Sequence, residues 1–482
     1  MADLIVAMVA LVKIAGAHIE VVFDRRVTAD ILIARLKRCL AAFCLLTLGL
    51  LPLRAGAQIT EPLPLLPNPA PPEAPRAVAT SPGEQPISAG QTVTSRARPE
   101  FDPIGLRVGD FFWFPRAELD ETYNSNIFAT NTSPTHDFIT AVQPSFDLLS
   151  IQPRGSFNVH GNTQLQFYAR NPAQNTQDGS ISVDGGLPVA AGSALFGDAQ
   201  VAHQHISYGS PNSPGDIAQP VTYWSYLARA GYRTGGRRFS YQIEFGVEAA
   251  QYNAAPLVSG GVLPQSSQDT IIPSAAVQTS YEIAPDYLGF VRVGASLYNY
   301  WHAVANNSAT GRINLGLQIL PRHLIYGQVY VGYLLQNFAQ SSPGITSTSV
   351  PDYGGQLVWN VTRLTTLTFG GLRTFITGTP SVGGTNVIGP AGNGYLASTI
   401  AANADHELLR NLLLNFNAGY ENDNFQGITR TDNVFTAGAG LKYLANRYLF
   451  LGGSFSYYQR SSTAAGASYN QNILMLRVGT QF

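Results

Sequence analysis

The sequence predicts an all-β protein, a transmembrane antiparallel up-and-down β-barrel of about 18 strands. Three observations lead to this fold class. The chain ends on an alternating segment that stops at an aromatic residue, Phe482. Only 12% of the 482 residues are charged, about half the usual share in soluble domains, yet the mean hydropathy is only +0.02. From residue 106 onward, segments with a period of two alternate with turn-forming residues.

Apolar residues occupy alternate positions of the terminal segment. These positions are Leu474, Leu476, Val478 and Phe482. A period of two gives a strand one apolar and one polar face, so these side chains are expected to face lipid while Arg477 faces a lumen. A terminal strand that ends in Phe resembles the insertion signal that outer-membrane β-barrels present to their assembly machinery. Outer-membrane lipid and the barrel assembly machinery are therefore predicted partners.

Composition argues against the competing classes. The formal net charge of −1 offers no basic surface for nucleic acid, so no nucleic-acid partner is predicted. Beyond residue 60, no apolar run reaches the length of about 18 residues that a transmembrane helix needs. A soluble chain of this length would normally divide into two or three domains. No such boundary is visible after residue 105, which favours one large closed unit.

Residues 1–57 are predicted to be a secretion leader that is cleaved after Ala57. A basic stretch at 35–38 precedes a short apolar core at 39–53, and small residues occupy the cleavage positions. A membrane helix over 31–53 is the alternative, and the charges embedded in that stretch argue against it.

Both cysteines of the chain, Cys39 and Cys44, lie within this leader. The mature protein would therefore contain no disulfide bond. Neither cysteine follows a small residue, as a lipid-attachment site requires, so a lipoprotein is not predicted. A cysteine-free exported chain fits the envelope of a Gram-negative bacterium, and the predicted location is the outer membrane.

Residues 58–105 differ in composition from the rest of the chain because prolines recur throughout them. Proline removes a backbone donor and imposes extended local geometry. The segment is predicted to be a disordered or polyproline-like periplasmic arm that acts as a spacer. A ligand for a periplasmic partner and a flexible plug are the alternatives.

The barrel domain is predicted over residues 106–482. Its clearest strand is 239–248, where the odd positions are apolar or aromatic and most even positions are polar. The same alternation runs through 291–297, 312–319 and 412–421. Tyr333, Tyr420 and Tyr457 lie near the ends of apolar faces, which is typical of the aromatic girdles at membrane interfaces.

Connections alternate in length, and this alternation predicts the topology. Short turns are predicted around 152–155, 234–237, 284–286, 320–322, 409–411 and 445–447. Longer connections are predicted at about 124–136, 209–220, 253–267, 338–350 and 376–393. Outer-membrane barrels have short periplasmic turns and long outer loops. The pattern gives about 18 strands, with 16 as the alternative, and it is least regular between 171 and 200.

Two blocks of the sequence resemble a known family. The first comprises residues 111–115, 119–128, 137–139 and 144–148, and the second is the closing stretch 435–482. They are similar to the opening block and closing strands of the outer-membrane β-barrel porin 2 family, which often accompanies exopolysaccharide export systems. The resemblance implies an outer-membrane channel with polysaccharide as its solute and periplasmic export components as partners.

Catalytic and metal-binding patterns are absent from the sequence. It contains no nucleophile elbow, zincin motif or phosphate-binding loop, so no enzyme activity and no cofactor are predicted. His203 and His205 share a strand face, but no third ligand is identifiable and no metal site is predicted. The polar clusters at 120–126 and 421–424 lack a calcium-loop spacing, so they are predicted to be hydrogen-bonded rim residues.

The predicted function is passage of hydrophilic solutes through an aqueous lumen, because a barrel of this size encloses a channel. The predicted lumen-lining residues are Arg229, Glu244, Glu248, Arg292, Arg312, Glu421 and Arg477. They carry both signs and are expected to orient solutes without strong selection by charge. Lumenal Tyr326 and Tyr330 would offer stacking faces to sugars. The alternative is a non-conducting structural or receptor barrel, plugged by loops or by the N-terminal arm.

Overall fold

The computed structural model describes residues 90–151, 155–236, 238–342, 345–376, 381–382, 385–386 and 394–482. The predicted leader and its cleavage site after Ala57 lie outside the described residues, as does the arm up to residue 89. Within the described part of the chain, no helix has the length and apolar character needed to span a membrane.

Eighteen β-strands form a closed antiparallel barrel. The strands are β1 (Phe111–Asn124), β2 (Asp137–Ser150), β3 (Ser156–Tyr168), β4 (Thr176–Ala190), β5 (Ser193–His205), β6 (Thr222–Gly235), β7 (Phe239–Tyr252), β8 (Thr270–Ala284), β9 (Tyr287–Tyr300), β10 (Ser308–Ile319), β11 (Ile325–Ser342), β12 (Ile345–Thr362), β13 (Thr365–Ile376), β14 (Tyr395–Leu409), β15 (Leu412–Phe425), β16 (Thr431–Leu444), β17 (Leu449–Ser462) and β18 (Tyr469–Gln481). Each strand pairs with the next, and β1 pairs with β18 to close the ring. The predicted fold class and strand number are confirmed, and the 16-strand alternative is wrong.

Short pairs of strands accompany the barrel. Leu106–Val108 pairs with the start of β1. Ala255–Pro256 pairs with Val262–Leu263 in the connection between β7 and β8. Ser381–Val382 pairs with Thr385–Asn386 between β13 and β14.

The two ends of the barrel differ in their connections, as predicted. We call one end the short-turn end. Its connections are 151–155, 191–192, 236–238, 285–286, 320–324, 363–364, 410–411 and 445–448. We call the other end the long-loop end. Its connections are 125–136, 169–175, 206–221, 253–269, 301–307, 343–344, 377–394, 426–430 and 463–468. Both the start of β1 and the end of β18 lie at the short-turn end.

One predicted loop is wrong. Residues 338–350 were expected to form a long connection, but β11 extends to Ser342 and β12 begins at Ile345. Asn337 lies opposite Ser347, and the pairing resumes with Ser342 opposite Ile345 after a register shift. Ile345, Thr346, Thr348 and Val350 are β-branched and favour a strand, and this preference outweighs the loop-like serines between them.

The irregular stretch between 171 and 200 forms two ordinary barrel strands, β4 and β5. Its glycines and prolines lie near a tight turn at 191–192, where Gly192 has a positive φ of 75°. Glycine adopts this left-handed conformation without a steric penalty, so the turn can be only two residues long.

The outer face of the barrel is an apolar band between aromatic girdles. Aliphatic residues such as Ile313, Leu315 and Val331 are exposed along its middle. Exposed aromatic residues at the short-turn end include Trp113, Tyr241, Trp359, Tyr443 and Tyr448. Exposed aromatic residues at the long-loop end include Phe138, Trp224 and Tyr420. This pattern is typical of a strand surface that contacts lipid.

Aromatic rings on the inner face lie over glycines of the neighbouring strand. Phe290 lies opposite Gly316, and Phe450 lies opposite Gly479. At both glycines a Cβ atom would collide with the aromatic ring. Such cross-strand pairs help to set the register, because a shift by one residue would remove the space that the ring needs.

Candidate functional site

The inner face of the barrel is the face opposite the exposed apolar residues. On β7, for example, Phe239, Tyr241 and Phe245 are exposed outward, so Glu244 and Glu248 point inward. Side chains alternate in this way along every strand because successive Cβ atoms of a strand point to opposite sides.

The structure places every predicted lumen-lining residue on this inner face. These residues are Arg229, Glu244, Glu248, Arg292, Arg312, Glu421 and Arg477. Five of them lie on β6, β7, β9 and β10, whereas Glu421 lies on β15 and Arg477 on β18, so the seven do not form one site. Their predicted role in solute passage is a separate question, and it stays a prediction.

Arg477 joins the first and last strands through ion pairs. Its Nε and Nη2 atoms donate to the two carboxylate oxygens of Asp120 at 2.7 and 2.6 Å. Its Nη1 atom lies 2.6 Å from Oε2 of Glu118. Gln143 on β2 donates a further hydrogen bond to Asp120 at 2.6 Å. Bidentate contacts of this kind have a defined geometry, so the network fixes the register where the barrel closes.

An acidic wall that the sequence analysis missed covers the inner face of β2 to β5. His160 on β3 bridges two carboxylates, with Nδ1 2.7 Å from Asp147 and Nε2 2.8 Å from Asp184. Asp198 on β5 accepts hydrogen bonds from Nε of Arg229 at 3.0 and 3.1 Å. The acids come from different strands, so the sequence alone did not bring them together. The available signal in the sequence was that each acid occupies a strand position whose side chain points inward.

The wall between β10 and β13 is packed with polar side chains. Gln336 is fully buried, accepting a hydrogen bond from Thr310 at 2.6 Å and donating one to Ser308 at 2.9 Å. Arg312 on β10 reaches Thr374 on β13, with Nη2 3.1 Å from Oγ1. A side chain that spans from β10 to β13 narrows the lumen on this side.

A second charged cluster lies at the long-loop end, next to Glu421. Arg430 donates to both oxygens of Asp432, at 2.9 and 2.5 Å. Asp423 lies opposite Asp432 on the neighbouring strand, and both are fully buried. Among the described residues, no group of three or more potential ligands could hold a metal ion.

The two histidines considered as metal ligands have separate partners. His203 packs against Trp224, with ring centroids 5.0 Å apart, and its Nδ1 lies 2.7 Å from the carbonyl oxygen of Gln177. Nδ1 of His205 lies 2.6 Å from Oδ2 of Asp178.

A loop cover crosses the lumen at the long-loop end. We define it as residues 206–221 together with the paired segment 255–263. Its core consists of the buried residues Ile206, Ile217, Val221 and Ala255. Burial raises the pKa of Tyr208 to about 12, and its hydroxyl donates to Gln174 at 2.6 Å.

The loop cover also reaches the closing strands of the barrel. The Tyr208 ring packs on Phe128 at 5.2 Å, and Tyr469 of β18 donates to the Gly209 carbonyl at 3.3 Å. These contacts join the connection between β5 and β6 to residues near the seam of β1 and β18. The cover therefore lies over the strands between them.

An N-terminal strap lies at the short-turn end. We define it as residues 90–105, which were expected to belong to the disordered arm but have defined contacts with the barrel. Glu407 of β14 accepts hydrogen bonds from Arg98 at 2.6 Å and from Arg96 at 3.2 Å. Burial lowers the pKa of Arg96, and the charge of Glu407 opposes this shift.

A family model described as "Putative beta-barrel porin 2" matches residues 98–482. The chain belongs to this porin family. The resemblance of the opening and closing blocks is thereby confirmed. The match begins within the strap and covers the whole barrel. No curated protein matches the sequence.

Solved structures of Pseudomonas aeruginosa outer-membrane proteins are similar to this porin at low identity. OpdK is 11% identical, with a TM-score of 0.40, and the match covers 77% of this chain and 99% of OpdK. OccK2 (OpdF), solved in complex with glucuronate, is also 11% identical, with a TM-score of 0.40 and coverage of 78% and 99%.

Proposed function

We propose that this porin passes hydrophilic solutes through the outer membrane of a Gram-negative bacterium. The observation that carries the proposal is the closed 18-strand barrel with an apolar outer face and a polar inner face. Eighteen strands enclose a lumen too wide for the wall side chains alone to fill. Charged inner residues would be costly in a dry cavity, so their number favours an aqueous lumen. The short-turn end would then face the periplasm.

Carbohydrate is the solute class that we favour. The family resemblance supports exopolysaccharide, and the inner face supplies suitable groups. Tyr330 and Tyr326 both point inward. The Tyr330 ring can stack on sugar faces, and the Tyr326 hydroxyl already donates to the carbonyl oxygen of Gly90. Amide groups on the inner face, such as that of Gln328, can hydrogen-bond to sugar hydroxyls. Polysaccharide, periplasmic export components and the barrel assembly machinery are the proposed partners.

Conductance of the purified protein in planar lipid bilayers tests the channel function. Discrete conductance steps are expected, and their absence would contradict the proposal. A deletion strain tests the solute. Loss of secreted polysaccharide that the intact gene restores is the expected result. Unchanged polysaccharide with reduced uptake of small hydrophilic solutes would instead identify a diffusion porin.

A non-conducting structural or receptor barrel is the second candidate. The observation in its favour is that chain crosses both ends of the lumen, as the loop cover and as the N-terminal strap. Such a barrel could bind a ligand without letting any solute pass through the lumen. A heat-modifiable, correctly folded barrel that never conducts, in the wild type or in variants that disturb either crossing segment, would favour this candidate.

A further inference from the structure

The N-terminal strap lies inside the barrel wall rather than outside its rim. The wall side chains that bind it point inward. Thr366 of β13 accepts a hydrogen bond from the Val93 amide at 3.0 Å. Tyr326 of β11 donates to the Gly90 carbonyl at 2.8 Å, and Gln481 of β18 donates to the Phe101 carbonyl at 3.2 Å. Because β11 and β18 are distant around the ring, the strap extends through the lumen between them.

The strap has a defined conformation that is held by hydrogen bonds within residues 90–105. Arg98 donates to the carbonyl oxygens of Val93 and Arg96, at 2.8 and 3.1 Å, so its guanidinium holds the turn together from within. The Val93 side chain is buried. These internal bonds mean that the strap presents a folded obstacle, and not a loose chain, to a solute in the lumen.

One inward carboxylate fixes the strap to the wall. Glu407 contacts both Arg96 and Arg98, and the Arg98 and Glu407 side chains are only 3% and 6% exposed. A charge pair that is shielded from water resists screening by salt. Removing the Glu407 charge would leave two guanidinium groups without their shared partner and would favour release into water.

We infer that residues 90–105 narrow the lumen at the short-turn end, that Glu407 holds them there, and that their release widens the channel. This inference rests on the proposed channel function. The strap is thus part of the permeation path, and its position sets the conductance of the open barrel.

Single-channel recording on the full chain tests the inference. Glu407→Gln is expected to raise the conductance by roughly twofold or more, because a wider constriction passes more ions. Glu282→Gln is the matched control, since Glu282 is an inward carboxylate near the same end, on β8, away from the strap contacts. It should leave the conductance step unchanged. A Glu407→Gln channel with wild-type conductance would overturn the inference.

A reversible tether provides the second arm of the test. Val93→Cys with Thr366→Cys, in a background where Cys39 and Cys44 are serines, should form a disulfide, because the Val93 amide nitrogen lies 3.0 Å from the Thr366 hydroxyl oxygen and brings the two residues within reach of each other. When combined with Glu407→Gln, the oxidised tether should restore the low conductance, and reduction should raise it again. Failure of the disulfide to form in a folded barrel would show that the strap does not occupy this position.

The two arms separate this inference from the channel function itself. If the wild type conducts and neither Glu407→Gln nor reduction of the tether changes the single-channel conductance, the inference about the strap is wrong. The proposed channel function is then unaffected. If no variant conducts although the tether forms, the channel function fails, and the inference fails with it.

Discussion

The loop cover and the N-terminal strap cross opposite ends of the same lumen, but they are held by different interactions. The cover has an apolar core around Val221 and Ala255 and a few tyrosine hydrogen bonds. The strap has one buried apolar anchor, Val93, and a charge pair centred on Glu407. Apolar burial is spread over many contacts, whereas a charge pair depends on each partner. The loop cover should therefore be the more stable of the two segments. A single substitution in the charge pair should be enough to release the strap.

The largest effect is expected on the outer surface of the short-turn end, where Phe482 packs on Tyr448 with ring centroids 5.5 Å apart. Phe482→Asp should strongly reduce the amount of protein in the outer membrane, because it places a charge in the predicted insertion signal. Quantitative blotting of membrane fractions measures this. Phe482→Tyr is the control and should insert normally. Normal abundance of the Asp variant would disprove the predicted signal.

The next largest effect is expected in the loop cover. Val221 is 1% exposed, and Val221→Asp should cost about 3–5 kcal/mol in local stability because it buries an unpaired charge. The loop should become sensitive to protease, as measured by limited proteolysis of the folded barrel. Val258→Asp is the matched control, since Val258 is 69% exposed. Equal protection of both variants would mean that the apolar cluster does not hold the cover.

A smaller effect is expected in the strap. Arg98→Gln leaves Glu407 with Arg96 as its nearer partner, and it removes the bonds to the Val93 and Arg96 carbonyls. We expect a local loss of about 2–3 kcal/mol, from charged hydrogen bonds of this kind. Chymotrypsin cleavage after Phe101 should become faster. Arg107→Gln, at an exposed position, is the control and should cleave at the wild-type rate.

The smallest effect concerns the lumen between the two crossing segments. Among the described strand residues, inward carboxylates outnumber inward arginine and lysine side chains. The sequence analysis expected little selection by charge, but this excess predicts a weak preference for cations at low salt. Reversal potentials across a salt gradient measure the preference. It should decline towards 1 M salt, where charges are screened over about 3 Å, and in Asp184→Asn. Anion preference would contradict the excess of carboxylates.

The barrel itself was predictable because its causes are local. Alternation such as that at 239–248 sets which side chains face outward, and short and long connections set the order of strands. An even number of sequentially antiparallel strands allows β1 and β18 to pair in the antiparallel direction. The loop at 338–350 was mispredicted because Ser and Thr occur in loops and in polar strand faces alike. Extra residues in a hairpin cost little, so a strand can extend beyond the barrel wall.

The sequence by itself determined the fold class, the family and the inward position of residues such as Arg229, Glu244 and Arg477, and it left the strand number between about 18 and 16. These properties depend on the alternation of apolar and polar residues with a period of two, which is visible in short stretches of sequence. Only the tertiary structure brought Asp147, His160 and Asp184 together, because cross-strand contacts depend on register. It alone placed Arg98 beside Glu407, across 309 positions of the sequence. No local pattern encodes such a contact; it exists because residues 90–105 lie against the inner wall of the closed barrel.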